Sequence, residues 1–320
     1  MRVLSGVQPS GTPHIGNYFG MMKPALELQQ QGEAFLFIAD YHALTTSPEP
    51  SALRERTIEL AVDFLACGLN PDKTVFFRQS DVPQVTELTW ILNNITTVGL
   101  LERAHSYKDK VAKGFIPNNG LFSYPVLMAS DILIYQSNIV PVGRDQKQHL
   151  EITRDLAVRF NNTYGDIFTI PEGFIQESVA VVPGTDGQKM SKSYNNIIPI
   201  FDKEKAIRKT IMNVVTDCKG LEDPKDPDSC NVVALYKLMA TPEQLEEMRA
   251  KYRAGNYGYG HAKQALFEVL WDYFAPMRKR REELLNNLDF VHAVLRKGAA
   301  RAREEADKTM ELVRRAVGLR

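Results

Sequence analysis

The segment PGTDGQKMSKS, residues 183–193, sets Lys189 and Lys192 three apart among glycines, serines and a threonine. Positive charge on a bendable loop suits an oligophosphate whose charge grows during reaction, because the loop can close over it in the transition state. Gly184 and Gly187 make the approach flexible, and Ser191 and Ser193 add hydroxyls. A solvated lysine loop is the ordinary alternative. A second segment, QPSGTPHIGNYFG at 8–20, carries Pro9, Gly11 and Pro13, which exclude a regular element before Gly16 opens a helix. Gly16 permits close approach to the backbone, and the amides at a helix N-terminus favour an anion or a polar ring. His14 and Asn17, three apart, can point the same way; a tight turn with an incidental histidine accounts for them equally well.

A third group of residues suggests a flat ligand. On a helix, Tyr124, Met128, Asp131, Ile132 and Tyr135 share one face, apolar but for a single carboxylate. A buried carboxylate is costly without a donor, so Asp131 either pairs with a basic residue in the core or accepts from a ligand. Pro125 fits the first turn of that helix. Aromatic and thioether side chains beside one acceptor suit a flat apolar molecule carrying an N–H or O–H. Asp40 and His42 follow the strand-like AFLFIAD, although a histidine there is more often structural than a ligand contact. In NIVPVGRDQKQHLEITRDLAVRF, a strand, a glycine turn and an amphipathic helix place Gly143, Asp145 and Gln146 together. There Asp145 could hold a ribose hydroxyl and Gln146 a carboxylate or ammonium, while helix capping by Asp145 is as good an account.

The elements that must position these groups alternate. RVLSGV, AFLFIAD and TVFFRQS read as strands, each followed by a helical run, the pattern of a parallel sheet with helices on its faces. Such sheets bind ligands at the carboxyl ends of their strands. From about residue 200 every run is helix-like, which predicts a second, helical domain. The 320 residues, 44% hydrophobic, allow a substantial core, and 39 Lys and Arg balance 39 Asp and Glu, so no global field pulls on a polyanion. The turn-rich N-terminus lacks a signal-peptide core and no run of about 18 apolar residues occurs, which points to the cytoplasm and away from membranes. Cys67, Cys218 and Cys230 form no C-x-x-C pair and argue against a disulfide framework.

PHIGN at 13–17 and KMSKS at 189–193 resemble the two signature motifs of class I aminoacyl-tRNA synthetases. With QPSG at 8–11, YPVLMASDILIY at 124–135, VPVGRDQKQHLE at 140–151 and the helical C-terminal third, the chain resembles the bacterial-type tryptophanyl family over essentially its whole length. The resemblance implies an α/β, Rossmann-like catalytic domain over 1–195, a helical anticodon-binding domain over 196–290 and a C-terminal helix over 291–320 that packs back on the first. It implies activation of L-tryptophan by ATP with Mg²⁺, without a covalent enzyme intermediate, then transfer of the aminoacyl group to tRNA(Trp) in a homodimer.

By the same resemblance, His14 and Asn17 contact the phosphates and Gly16 lies under adenine. Lys189 and Lys192, with Ser191, Ser193 and Lys110, stabilise pyrophosphate. Gln8, Pro9, Ser10, Gly143, Arg144, Asp145, Val182 and Met190 complete the ATP site, with Asp145 on the ribose. Gly6, Gln8, His42, Tyr124, Met128, Asp131, Ile132 and Gln146 surround tryptophan, with Asp131 accepting the indole N–H as the donor its helix face lacks. No metal ligands are implied. A buried acceptor of this kind rejects phenylalanine without an editing domain.

The chain departs from the family pattern in places. Asn17 stands where many class I enzymes have a second histidine, Arg144 where an acidic residue is usual, and Tyr41 follows Asp40 where glutamine or tryptophan is frequent. Of the four cysteines that bind a four-iron cluster in an iron–sulfur subgroup, only Cys230 has a counterpart, so no cluster is expected. Residues 271–320 carry 12 Lys or Arg and 8 Asp or Glu, with RKRR at 278–281 the densest patch for tRNA. TELTWILNNITTVGLLERAHSY is the expected dimer face. A tyrosyl-tRNA synthetase and a small-molecule adenylyltransferase of the same superfamily are the alternatives, since a lone carboxylate also accepts a phenol.

Overall fold

Five short apolar runs form one parallel sheet: β1 (Arg2–Val7), β2 (Glu33–Ile38), β3 (Thr74–Arg78), β4 (Ile139–Val142) and β5 (Glu172–Ile175). The computed structural model describes residues 1–30, 32–46, 48–104, 118–143, 146–175 and 182–320. Strand order is β3-β2-β1-β4-β5, with Leu4 opposite Phe35 and Phe35 opposite Val75. β2 lies between two neighbours and is covered on both faces, which is why Ala34–Ile38 is apolar without alternation. Leu36 and Ile38 enter one core cluster, Phe35 and Phe37 the other. The order reverses between β1 and β4, the position where open α/β sheets leave a crevice. β5 escapes a sequence reading because EGFI is four residues long and holds a glycine; a Cβ on Gly173 would lie 2.6 Å from Leu150 Cδ2.

Three helical expectations are corrected by local chemistry. The helix bearing Asp131 spans Asn119–Ile134, capped by Asn118, whose Oδ1 accepts from the Leu121 N–H at 2.7 Å. Pro125 therefore lies inside the helix rather than in its first turn, and has no N–H to give the Leu121 carbonyl. The run expected as one helix from Thr86 splits into Gln84–Asn93 and Val98–Glu102. Asn94 and Thr96 donate side-chain hydrogen bonds to the Trp90 and Leu92 carbonyls, each at 2.7 Å, in place of a continuing helix. After β1, the Ile15–Asn17 turn passes through a π-helix, Tyr18–Met22, before Lys23–Leu28; the wide turn ends just before Pro24, which cannot donate.

Beyond residue 200 the described residues form helices Glu204–Met212, Asn231–Tyr236, Pro242–Ala254, Tyr259–Tyr273, Ala275–Leu285 and Leu288–Ala316. The last, 29 residues long, lies against β3. A Cβ on Gly298 would fall 1.8 Å from the Phe76 carbonyl oxygen, so only glycine allows that approach. Ala299, Ala302 and Ala306 continue the small, buried stripe.

The basic run 278–281, expected as a fully exposed patch, is half internal. Arg278 lies over the Trp271 ring, 3.5 Å from its centroid, and donates to the Trp271 carbonyl. Arg281 donates to buried Asp63 at 2.7 Å, joining Ala275–Leu285 to the Pro50–Ala66 helix. Only Lys279 and Arg280 are exposed. Burial pushes the Asp63 carboxyl up to about 6 while Arg281 pulls it down. Removing Arg281 moves it higher still, so the unpaired charge is present only above that pH. Arg281→Ala is expected to cost about 3–5 kcal/mol at pH 8 and clearly less at pH 5, where the carboxyl takes up a proton. Urea melts at the two pH values check this; an equal loss at both contradicts it.

Candidate active site

A cavity of about 480 Å³ occupies the crevice between β1 and β4. Its walls include Gly6 and Gln8 from the end of β1, His42 after β2, Tyr124, Met128, Asp131 and Ile132 from the Asn119–Ile134 helix, and Gly143 and Gln146 after β4. The structure thus brings together all eight residues proposed for the amino acid. Gly6 is dictated by Phe37, whose ring atom Cζ would lie 2.3 Å from a Cβ there.

Asp131 is buried and already has two protein donors, which changes the expectation that its donor was missing. His42 Nε2 lies 2.8 Å from Oδ2, and Gln79 Nε2 lies 2.8 Å and 2.9 Å from Oδ1 and Oδ2. Burial pushes the carboxyl up from its ordinary range, opposed by the bonds from His42 and Gln79. Asp40 is spent on structure: it accepts from the Ser80 N–H at 2.9 Å and the Ser80 hydroxyl at 2.5 Å, tying β2 to β3. Across the cavity, Tyr124 OH lies 2.5 Å from His149 Nε2, and His149 Nδ1 lies 3.0 Å from Gln146 Oε1. Gln79 and His149 were not singled out from sequence. The only signals are a polar residue directly after β3 and a histidine one helical turn after Gln146.

The two signature segments lie side by side. Ile15 N–H donates to the Ile198 carbonyl at 3.0 Å, and His14 and Pro199 form an antiparallel bridge. His14 and Asn17 make a reciprocal cap: Asn17 N–H donates to His14 Nδ1 and His14 N–H to Asn17 Oδ1, both at 3.2 Å. Because Nδ1 accepts, the proton of the neutral ring sits on Nε2. Burial first, then the nearby Lys192 charge, pushes His14 down to about 4. Gly16 meets the protein itself: a Cβ there would lie 2.9 Å from His14 Nδ1 and 3.2 Å from Met190 Cβ. The absence of a side chain at Gly16 is therefore required by packing within the chain.

The lysine loop is braced by several hydrogen bonds. Met190 is buried, and its N–H donates to the Val182 carbonyl at 2.9 Å. Buried Asn196 holds the loop from inside: Oδ1 accepts from Ser191 N–H at 2.7 Å, while Nδ2 donates to Asp186 Oδ1 at 2.7 Å and the Lys189 carbonyl at 3.1 Å. Gly184 packs where a Cβ would lie 2.3 Å from Asn196, and Gly187 has φ +82°. Gly184 is thus required by packing and Gly187 by a left-handed turn. Ser191 Oγ accepts from Ser193 N–H at 3.3 Å, opening the short Lys192–Tyr194 helix. Lys192 reaches across to the Ser10 carbonyl at 2.7 Å, immediately after Pro9. Its Nζ and Arg56 Nε converge on Gly11, 3.6 Å and 4.0 Å from where a Cβ would stand. Two cations thus meet with a neutral carbonyl as the partner of one, an arrangement that favours an anion.

Lys110, Arg144 and Asp145 lie outside the described residues. Cys230 Sγ lies 3.5 Å from the Tyr252 hydroxyl. Among the described residues no helix is long and apolar enough to cross a membrane.

Comparison with known proteins agrees with this geometry. Residues 1–275 match the family model described as tRNA synthetases class I (W and Y). A tryptophan–tRNA ligase of Rhodopirellula baltica is 55% identical over 320 residues, covering 100% of both chains. One of Fusobacterium nucleatum is 53% identical over 319 residues, covering 99% of this chain and 98% of its own. The crystal structure of tryptophanyl-tRNA synthetase from Campylobacter jejuni complexed with ADP and tryptophan superposes with a TM-score of 0.95 at 50% identity, covering 99% of this chain and 100% of that one. With its two signature segments paired beside a crevice at the sheet's reversal, the chain belongs to the class I tRNA synthetases of the tryptophan and tyrosine group.

Proposed function

We propose that this chain is a tryptophan–tRNA ligase, activating L-tryptophan with ATP to tryptophanyl-adenylate and pyrophosphate and then esterifying tRNA(Trp). The observation that carries the reading is a buried carboxylate, Asp131, in the wall of an otherwise largely apolar cavity whose Gln8 lies two residues from the carbonyl that holds Lys192. The indole enters the cavity against Met128 and Ile132 and gives its N–H to Asp131. Tyr124 and Gln146, linked through His149, face the amino acid's polar end. Its carboxylate attacks the α-phosphate, so the chain's part is positioning and charge stabilisation. His14 donates from Nε2 to a phosphate oxygen, Asn17 holds that ring in place, and Lys189 and Lys192 meet the departing pyrophosphate. Mg²⁺ would enter on the nucleotide's own phosphates; among the described residues no cluster of three His, Cys, Asp or Glu side chains is built for it.

The reading also places the chain in the cytoplasm as a homodimer. Trp90 and Val98, 71% and 62% exposed on the two short helices 84–93 and 98–102, supply an apolar face for a second copy. Light scattering should return twice the 36.1 kDa chain mass. The decisive measurement is exchange of labelled pyrophosphate into ATP. Exchange is expected with tryptophan and not with tyrosine or phenylalanine; exchange with tyrosine alone sinks the tryptophan assignment.

A further inference from the structure

Gln79 opens the short turn Gln79–Asp81 that follows β3 and is 1% exposed, outside the cavity wall. Its Oε1 accepts from the backbone N–H of Tyr41 at 3.1 Å and of His42 at 3.4 Å. Those two donors settle the orientation of the amide, since an NH₂ turned toward them would oppose two N–H groups. The nitrogen is thereby aimed at Asp131, where it spans both carboxylate oxygens at 2.8 Å and 2.9 Å.

A carboxylate offers about four acceptor positions. Gln79 covers one on each oxygen, and His42 takes the second on Oδ2. Among the described residues one position is left, on Oδ1. A carboxylate held by His42 alone would be free to turn and to present either oxygen to the cavity. A buried carboxyl also tends to take up a proton, after which it donates as well as accepts.

We infer that Gln79 is a positioning residue for substrate choice: by spanning the Asp131 carboxylate it fixes the plane of that group and leaves one acceptor for one ring N–H. The inference rests on Asp131 being the acceptor for the indole. Gln79 acts through Asp131 and touches no substrate. It also links the selectivity of the cavity to the end of β3 and to the Asp40–Ala43 turn, whose N–H groups hold the amide.

The test is pyrophosphate exchange by the full chain with tryptophan and with 3-benzothienylalanine, which keeps the ring outline and replaces N–H by sulfur. Wild type should prefer tryptophan by roughly 10²-fold or more in kcat/KM, as sites built around a hydrogen bond do. Gln79→Met keeps the side chain's length and removes both amide atoms. It should raise KM for tryptophan about tenfold, leave kcat and the KM for ATP within about threefold, and shrink the preference about tenfold. Should this variant fail to fold, Gln79→Glu, which keeps an oxygen for the Tyr41 and His42 N–H groups, is measured with the same expectation. Equal losses for both amino acids, or an unchanged preference in a folded variant, overturn the inference and leave the tryptophan site standing. A wild type that shows no preference, or no exchange with tryptophan, overturns the Asp131 acceptor itself, and the inference falls with it.

Discussion

Asp131→Ala is expected to lower kcat/KM for tryptophan by about 10³-fold while the KM for ATP stays within about twofold. Three losses combine. The indole N–H loses a charged acceptor, worth about 1.5–3 kcal/mol. His42 Nε2 and the Gln79 amide, both buried and both directed at the carboxylate, lose their common partner, at a cost of about 1–3 kcal/mol for each donor left unsatisfied. Part of that second cost falls on the free protein as well as on the complex, so roughly 4 kcal/mol, or three orders of magnitude, is the share that appears in substrate use. ATP is spared because the side-chain bonds of Asp131 run to His42 and Gln79, not to the PHIGN or KMSKS segments. Parallel titrations of tryptophan and ATP in the exchange assay decide the matter. A comparable rise in the KM for ATP would mean that the carboxylate supports the whole site rather than the amino acid's ring.

The same carboxylate marks where sequence reasoning stops. Helical spacing alone places Asp131 on an apolar face with Tyr124, Met128 and Ile132, and all four do line the cavity. Spacing cannot name the partners, because Gln79 and His42 reach Asp131 from 52 and 89 residues away, through the order of the strands. The parallel sheet itself was legible in its first four strands, whose apolar runs follow from burial on both faces. β5 and the break at Asn94 were not, since half of EGFI is glutamate and glycine rather than an apolar run, and a side-chain cap leaves no periodicity. Charge misled in one place. RKRR reads as a surface patch until Asp63 and Trp271, neither adjacent in sequence, are seen to absorb Arg281 and Arg278. Glycine was only half legible. Gly184 and Gly187 signal an unusual backbone, but the packing that requires Gly184 comes from Asn196, which lies beyond the motif.

Lys192→Ala is expected to lower kcat for pyrophosphate exchange by roughly 10²–10³-fold with the KM for tryptophan almost unchanged, the signature of an interaction made only in the transition state. The ammonium now rests on the neutral Ser10 carbonyl, and burial together with the Arg56 charge pulls its pKa down. An arriving polyphosphate therefore finds a cation whose present partner is weak and whose neighbour repels it, and the exchange of partners favours the anion. His14 takes part as a neutral donor. Its imidazole, pushed down to about 4, binds a proton only below that pH, so between pH 5.5 and 8 its charge does not change. The kcat/KM profile of the wild type, which reports the free protein, should accordingly show no acid limb near 6.5 that His14→Gln removes. Such a limb, present in wild type and absent in the variant, would show that His14 works as the imidazolium and would reverse the tautomer assigned from its bond to Asn17.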